Sequence, residues 1–295
     1  MERKLLVKKY FQRSNKLTLD NPTYRRQVVE LFHWMLKADE ASQDVSKILQ
    51  ITKNATATVL SKQNGVIAGI DEIVYLLTQY SKLTVVWVNK RKNVKKSEKI
   101  LEVKGTINEL LLFERVILNI LGRMSGIATL THSLHNFSVS ATRKTPWMLF
   151  DKKAVAVGGG LTHRLSLSDF VLIKDNHLEL LKRDAIKKMI AKGRFFEIEV
   201  QTLNQAYSMI KMFEDTKNAQ SFVFAIMLDN FTPKTATEFV KQIQKNPIYQ
   251  NIIIEASGEI TKKNFLVWKK TGVDILSLGS LTHSAPTFNL SMKID

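Results

Sequence analysis

The chain has 295 residues, 44% hydrophobic and 24% charged, the balance of an ordinary globular protein with room for a large core. It contains no cysteine, which excludes disulfides, thiolate metal sites and a cysteine nucleophile. Lysine and arginine number 44 against 27 acidic residues, and the net charge of +17 points to anionic partners without choosing among them.

No apolar run approaches the roughly 18 residues of a membrane span, and MERKLLVKKYF lacks the long apolar region of a signal peptide. A cytoplasmic protein away from the membrane is expected. The basic arm (Arg3, Lys4, Lys8, Lys9, Arg13, Lys16) and the stretch from Lys90 to Lys99 carry no interleaved aromatics. Both read as solvated surface, not as nucleic-acid sites.

Asn21-Pro22 predicts a helix start, with asparagine as cap and proline at the first helical position. Val28, Val29, Leu31, Phe32, Met35 and Leu36 then give that helix a broad apolar face. The alternation from Ala55 to Ile70 reads as strand, turn and strand, with Asn64-Gly65 as a hairpin turn. Thr84 to Val88 and Lys99 to Val103 are further strand candidates. A largely buried helix is expected from about Asn108 to Arg123, with Arg115, Asn119 and Arg123 forming one polar stripe. This first third reads as a small α+β unit.

After Gly126 the rhythm changes. Strands are expected at 137–141, 154–157, 170–173, 196–200, 222–228, 252–256 and 273–278. Helical segments at 178–192, 204–213, 233–244 and 261–270 separate the later ones. Such alternation implies parallel βαβ units, and seven strands imply an α/β barrel or near-barrel.

In that architecture chemistry collects at the carboxyl ends of strands. There the sequence offers Arg143 and Lys144, then Gly158 to Gly160 with His163 and Arg164, then Lys174. Glu197 and Glu199 share one strand face, Asp229 ends the next strand, and Ser257, Gly258 and Gly279 follow. Arginine and lysine neutralise carboxylates or phosphates. Glu199 and Asp229 offer hard oxygen ligands for magnesium, and the small residues offer backbone N–H groups to a phosphate. The expected ligands are a phosphorylated substrate, a metal and a carboxylated second substrate.

The motifs ERVILNILGRMSGIATLTH, ATRKT, VGGGLTHRLSLSDFVLIKDNH, EIEVQTL, IMLDN, IEASG and GVDILSLGSLTHSAP occur in that order. Together with QDVS and GVIAG nearer the N-terminus, they resemble quinolinate phosphoribosyltransferase, the carboxylating nicotinate-nucleotide pyrophosphorylase family. The resemblance implies an N-terminal α/β sandwich domain over 1–127, to which 284–295 return, and an open, incomplete TIM-like α/β barrel over 128–283. It also implies a homodimer with shared active sites.

By the same resemblance, quinolinate's carboxylates meet Arg143, His163, Arg164 and Lys174, with Arg115 reaching in from the neighbouring subunit. Lys144, Glu199 and Asp229 hold magnesium and phosphoribosyl pyrophosphate, with Glu199 and Asp229 as the metal ligands. Ser257, Gly258 and Gly279 cradle the 5′-phosphate, with His283 nearby. The implied reaction yields nicotinate mononucleotide, pyrophosphate and carbon dioxide on the route to NAD. The alternatives are a related transferase acting on nicotinate or another planar acid, and a basic nucleic-acid-binding protein on a degenerate barrel. Two stretches depart from the family pattern. Glu259 stands where a second glycine is expected, and TPWMLFDKK after Lys144 is shortened.

Overall fold

The computed structural model describes residues 2–40, 53–174, 194–215 and 222–295. The QDVS motif and the helix expected at 178–192 lie outside the described residues. The chain forms two compact units: 14–133 with 145–159 and 284–295, and 1–13 with 134–144 and 160–283. Residues 1–13 and 145–159 thus fall on the opposite side of the division from a simple cut at 127.

Helix α1 (Arg3–Phe11) belongs to the second unit, and α2 (Pro22–Ala38) opens the first. The Asn21 side chain accepts from the Thr23 and Tyr24 N–H groups at 3.0 and 3.3 Å, and Pro22 begins the first turn, as its fixed φ favours. The helix buries Tyr24, Val28, Phe32 and Met35. Tyr24 donates to the buried Glu72 carboxylate at 2.7 Å, giving a charge inside the core the partner it needs. Glu72 stands in the first turn of α3 (Ile70–Tyr80).

The sheet of this unit is built from β1 (Asn54–Ser61), β3 (Thr84–Val88), β5 (Lys99–Thr106) and β12 (Leu290–Ile294). It is antiparallel, in the order β12-β1-β5-β3. The Asn64-Gly65 hairpin does not form. β2 (Gly65–Val66) instead pairs with β4 (Asn93–Val94). The buried face of β1 finds apolar partners on β5, Ala57 against Val103 and Val59 against Leu101, so the long ladder prevails over a local turn.

Helix α4 (Ile107–His132) runs past the expected end at Arg123, capped at its start by the Thr106 hydroxyl. Against it packs α5 (Leu149–Val157), and here the sequence reading fails. Ala154 to Val157 are helical, not a strand. Four consecutive apolar residues carry no period, and Leu149, Phe150, Ala154 and Val155 form one buried helical face. Asp151, also buried, anchors the first turn by accepting from Arg123 at 2.8 and 3.0 Å and from the Thr145 hydroxyl. One member of the predicted stripe is thereby spent on structure, and the shortened segment after Lys144 is tied down.

The second unit is built on six parallel strands. They are β6 (Val139–Ser140), β7 (Val171–Ile173), β8 (Phe196–Val200), β9 (Phe224–Asp229), β10 (Ile252–Ser257) and β11 (Ile275–Ser277). Their order is β6-β11-β10-β9-β8-β7. In place of the seventh strand, Leu161 alone makes a parallel bridge to Ser140. Helices α6 (Leu203–Glu214) and α7 (Pro233–Ile243) connect successive strands. Only Phe265–Trp268 of the expected 261–270 helix is α-helical; this is α8, and the four-residue α9 (Ser280–His283) follows β11.

Helix α1 closes the amino-terminal end of this open α/β barrel. Leu6, Val7 and Phe11 pack with Leu161, Phe170, Ala225, Ile253 and Ile275 in one buried cluster. Arg3 pairs with Asp274 and donates to the Tyr249 and Ile252 carbonyls at 2.9 and 2.6 Å. Asp274 in turn accepts from the Ile254 N–H at 2.8 Å. Arg3→Ala should lower stability by about 1–2 kcal/mol, the worth of charge-assisted hydrogen bonds discounted for partial exposure. Chemical denaturation read by circular dichroism checks this, and a loss below about 0.3 kcal/mol would show the network to be ornamental.

Candidate active site

In a parallel sheet, paired residues of neighbouring strands face the same side. Glu197 lies beside Ala225, Glu199 beside Met227, Glu255 beside Met227, and Ser257 beside Asp229. Glu197, Glu199, Asp229, Glu255 and Ser257 therefore share one face. It is the face whose lower residues, Ala225, Ile253 and Ile275, pack with α1. Burial grades along it: Glu197 and Glu255 have no exposed surface, whereas Glu199, Asp229 and Ser257 are half-buried at the carboxyl ends.

Three clusters of candidate residues assemble there. At the ends of β9 and β10, Asn230 donates its backbone N–H to the Ser257 carbonyl at 3.0 Å and its side-chain amide to Asp229 at 2.9 Å. Gly258 has φ +100°, and a side chain on it would collide with Asn230, so only glycine fits. Glu259 is exposed and also left-handed, φ +47°, which explains why a glycine would suit that position.

The second cluster joins β6 to β11. The Thr142 hydroxyl accepts from the Lys144 N–H at 3.1 Å, and the Thr282 hydroxyl donates to the Lys144 carbonyl at 2.8 Å. A side chain at Gly279 would meet both His283 and Lys144, so these three stand side by side. Lys144 and His283 are exposed.

The third cluster is cationic. Arg164 is buried, and its pKa is lowered by burial and by Arg143, with Glu197, Asp169 and Glu199 opposing. Asp169, which sequence reasoning passed over, accepts from the Leu165 and Ser166 N–H groups at 2.7 and 3.4 Å and shapes the turn after Arg164. Its spacing in HRLSLSD was the available signal. Lys174, exposed, directly follows β7, two residues beyond Leu172, which pairs with Glu197.

His163 directly precedes Arg164 and is buried. Its Nε2 lies 3.3 Å from Glu197 and 3.2 Å from Glu255, all three side chains buried. Burial disfavours a charged imidazole, but Glu255 and Glu197 outweigh it and raise the His163 pKa to about 9. Burial and Glu255 raise Glu197 to about 7. Against ring protonation stands the Arg164 N–H, which points at His163 Nδ1 from 2.9 Å and requires a lone pair there. The hydrogen bond to Nδ1 favours a neutral ring, and the raised pKa of Glu197 agrees with it. Glu255 was visible only as an acid inside the apolar run IIIEA. Arg115 belongs to the other unit, where it is exposed on α4 and lies 3.8 Å from Glu114.

The quinolinate phosphoribosyl transferase C-terminal domain model matches residues 125–293, and the N-terminal domain model matches 44–125. The chain belongs to the quinolinate phosphoribosyltransferase family. It is 30% identical to a probable carboxylating nicotinate-nucleotide pyrophosphorylase of Methanothermobacter thermautotrophicus, over 90% of this chain and 99% of that one. The Archaeoglobus fulgidus relative of the same description is 35% identical, over 82% and 95%. Among solved structures, the nicotinate-nucleotide pyrophosphorylase of Francisella tularensis superposes with a TM-score of 0.79 at 28% identity, covering 92% of this chain and 96% of that one. The two-domain α/β architecture is therefore that of the family, and an enzyme of the pentosyltransferase class is established by it.

The left-handed backbone at Glu259 yields a prediction independent of substrate. Glu259→Gly should raise stability by about 1 kcal/mol, the strain of a non-glycine residue in that region. Equilibrium denaturation measures it, and a destabilised variant would mean that the side chain has contacts outweighing the strain.

Proposed function

We propose that this chain transfers phosphoribose from phosphoribosyl pyrophosphate to the ring nitrogen of quinolinate, with loss of carbon dioxide, giving nicotinate mononucleotide. What carries the reading to this site is the crowding of Arg143 against the buried Arg164, whose pKa is lowered by burial and by that neighbour. Arg164 is buried and Arg143 exposed, and a planar dicarboxylate supplies an anion that both can bind. The relatives' names supply the substrate's identity.

Arg143, Arg164 and Lys174 would hold the dicarboxylate, and Lys144 would meet the charge of the pyrophosphate. Ser257, Gly258 and Gly279 would present N–H groups to the 5′-phosphate beside His283. The bond from ribose C1 to pyrophosphate breaks as the bond to the ring nitrogen forms. Glu199 and Asp229 face the positive charge that develops on the ribose. The carboxylate beside the nitrogen then leaves as carbon dioxide, and its electron pair stays on the ring carbon until a proton arrives. Glu199 and Asp229 suit magnesium as hard oxygen donors on adjacent strand ends, since this ion takes one or two carboxylates and completes its shell with substrate oxygens. When bound, it would neutralise charge on the departing pyrophosphate.

The decisive experiment incubates the protein with quinolinate, phosphoribosyl pyrophosphate and magnesium and follows nicotinate mononucleotide by chromatography. Product is expected, and it should disappear on chelation of the metal. Equal turnover of nicotinate, which has one carboxylate fewer, would overturn the substrate assignment. Arg143→Glu and Lys174→Glu should each weaken quinolinate binding at least roughly a hundredfold, because a charge-assisted partner becomes a repulsive one. Unchanged affinity removes that residue from the site.

We also propose a homodimer in which Arg115 completes the partner's site, consistent with its exposure on α4. Arg115→Ala and Lys174→Ala proteins should each be nearly inactive, and subunit exchange between them should restore activity, because one site per heterodimer is then intact. A mixture as inactive as its parents, despite exchange verified by mass spectrometry, defeats the shared site.

A further inference from the structure

Lys144 lies beyond the end of β6, a strand of two residues whose ladder with β11 closes where the Leu278 N–H donates to the Ser140 carbonyl at 3.0 Å. Strand pairing therefore does not hold the Lys144 segment, and other contacts must. The Thr282 side chain supplies one. It has no exposed surface, and its hydroxyl donates to the Lys144 carbonyl at 2.8 Å across 138 positions of sequence. The same oxygen lies 3.2 Å from the Gly279 carbonyl, but a hydroxyl has a single hydrogen, and the shorter contact takes it. On the other side of the residue, the Lys144 N–H reaches the Thr142 hydroxyl at 3.1 Å.

The support behind Thr282 is itself fixed. Leu281, its neighbour on α9, is buried, and the Ser280 hydroxyl donates to the Ile260 carbonyl at 3.3 Å, which ties α9 to the turn after β10. The effect shows in the side chain of Lys144. A Cβ placed on Gly279 would meet the Lys144 stem at 3.5 Å and the His283 ring at 3.0 Å, so stem and imidazole both border the bare Gly279 backbone. A lysine has a flexible stem, and where its ammonium can reach depends on where its peptide is pinned.

We propose that Thr282 is a positioning residue for Lys144: its buried hydroxyl pins the Lys144 peptide to α9, so that the lysine stem runs along Gly279 beside His283. The hydrogen of that hydroxyl is committed to a carbonyl, so its effect on the substrate passes through Lys144. This inference rests on the reading that Lys144 meets the charge of phosphoribosyl pyrophosphate.

The test follows affinity for phosphoribosyl pyrophosphate, by calorimetry with magnesium present and as KM in the quinolinate assay. Thr282→Val keeps the shape and deletes the hydroxyl. It should weaken that affinity roughly five- to tenfold and leave KM for quinolinate within about twofold. Thr282→Ser keeps the hydroxyl and should stay within about threefold of the parent. A serine variant as impaired as the valine variant would assign the effect to packing of the methyl group and overturn the proposal. So would a valine variant that binds like the parent, or an equal rise in KM for both substrates, which marks general distortion. Thr282→Ala removes the same hydroxyl should circular dichroism show the valine variant poorly folded.

A double-mutant cycle tests the route. In a Lys144→Ala background, Thr282→Val should weaken binding by less than about a further twofold, because the side chain it positions is gone. An undiminished loss there would show that Thr282 acts on the phosphate turn without Lys144, and the proposal fails. A protein that binds phosphoribosyl pyrophosphate without converting quinolinate defeats the substrate reading alone, and the Thr282 comparison still decides this one. A protein that does not bind phosphoribosyl pyrophosphate defeats both.

Discussion

Everything in the barrel unit follows from the way its parallel strands alternate. One face carries Glu197, Glu199, Asp229, Glu255 and Ser257, and its amino-terminal end carries only apolar residues sealed by α1. Ionised carboxylates on an inward face are expensive, so each must be matched with a partner or with solvent. The lower acids, Glu197 and Glu255, are matched by His163 inside the protein. The upper ones, Glu199 and Asp229, reach half-exposed positions at the carboxyl ends, where ligands arrive. A single structural rule thus separates acids that support the site from acids that can serve in it.

The cationic side obeys a similar division. Arg123 and Arg164 are both largely buried, but Arg123 is consumed by Asp151, which accepts two of its hydrogen bonds and also holds the segment after Lys144. Arg164 keeps company with another arginine. Glu197, Asp169 and Glu199 offset that neighbour, so Arg164 stands in a mixed field of charge, whereas Arg123 is bound in a bidentate pair.

Much of the architecture was legible because its strands carry strong signals. Thr84–Val88 and Phe196–Val200 appear with the bounds read from sequence, and most other barrel strands agree to within a few residues. The failures have physical causes. Ala154–Val157 lacks a period, so nothing local separates a buried helix from a strand, and the deciding contacts come from α4. Asn64-Gly65 has ideal turn chemistry, but β1 is claimed by β5 and by a strand from the far end of the chain. For the site, the types of residue were legible and their contacts were not. His163 and Arg164 are adjacent in sequence, yet one is committed to two buried acids and the other stands beside Arg143. Such a difference is fixed by a backbone angle and by two glutamates on other strands, neither of which leaves a local trace.

The placement of α1 has a consequence for how the chain reaches its native state. Arg3 and Asp274 are separated by 271 positions, and the apolar face of α1 rests on Ile253 and Ile275. During synthesis the first helix emerges long before its seat exists, because β10 and β11 are among the last strands made. Its Leu6, Val7 and Phe11 must wait exposed, or covered by a chaperone, while the intervening chain is produced. Closing so long a loop is slow, though its entropic penalty grows only with the logarithm of length. The amino-terminal segment is therefore a late arrival in folding, a latch that shuts only after β10 and β11 have been made.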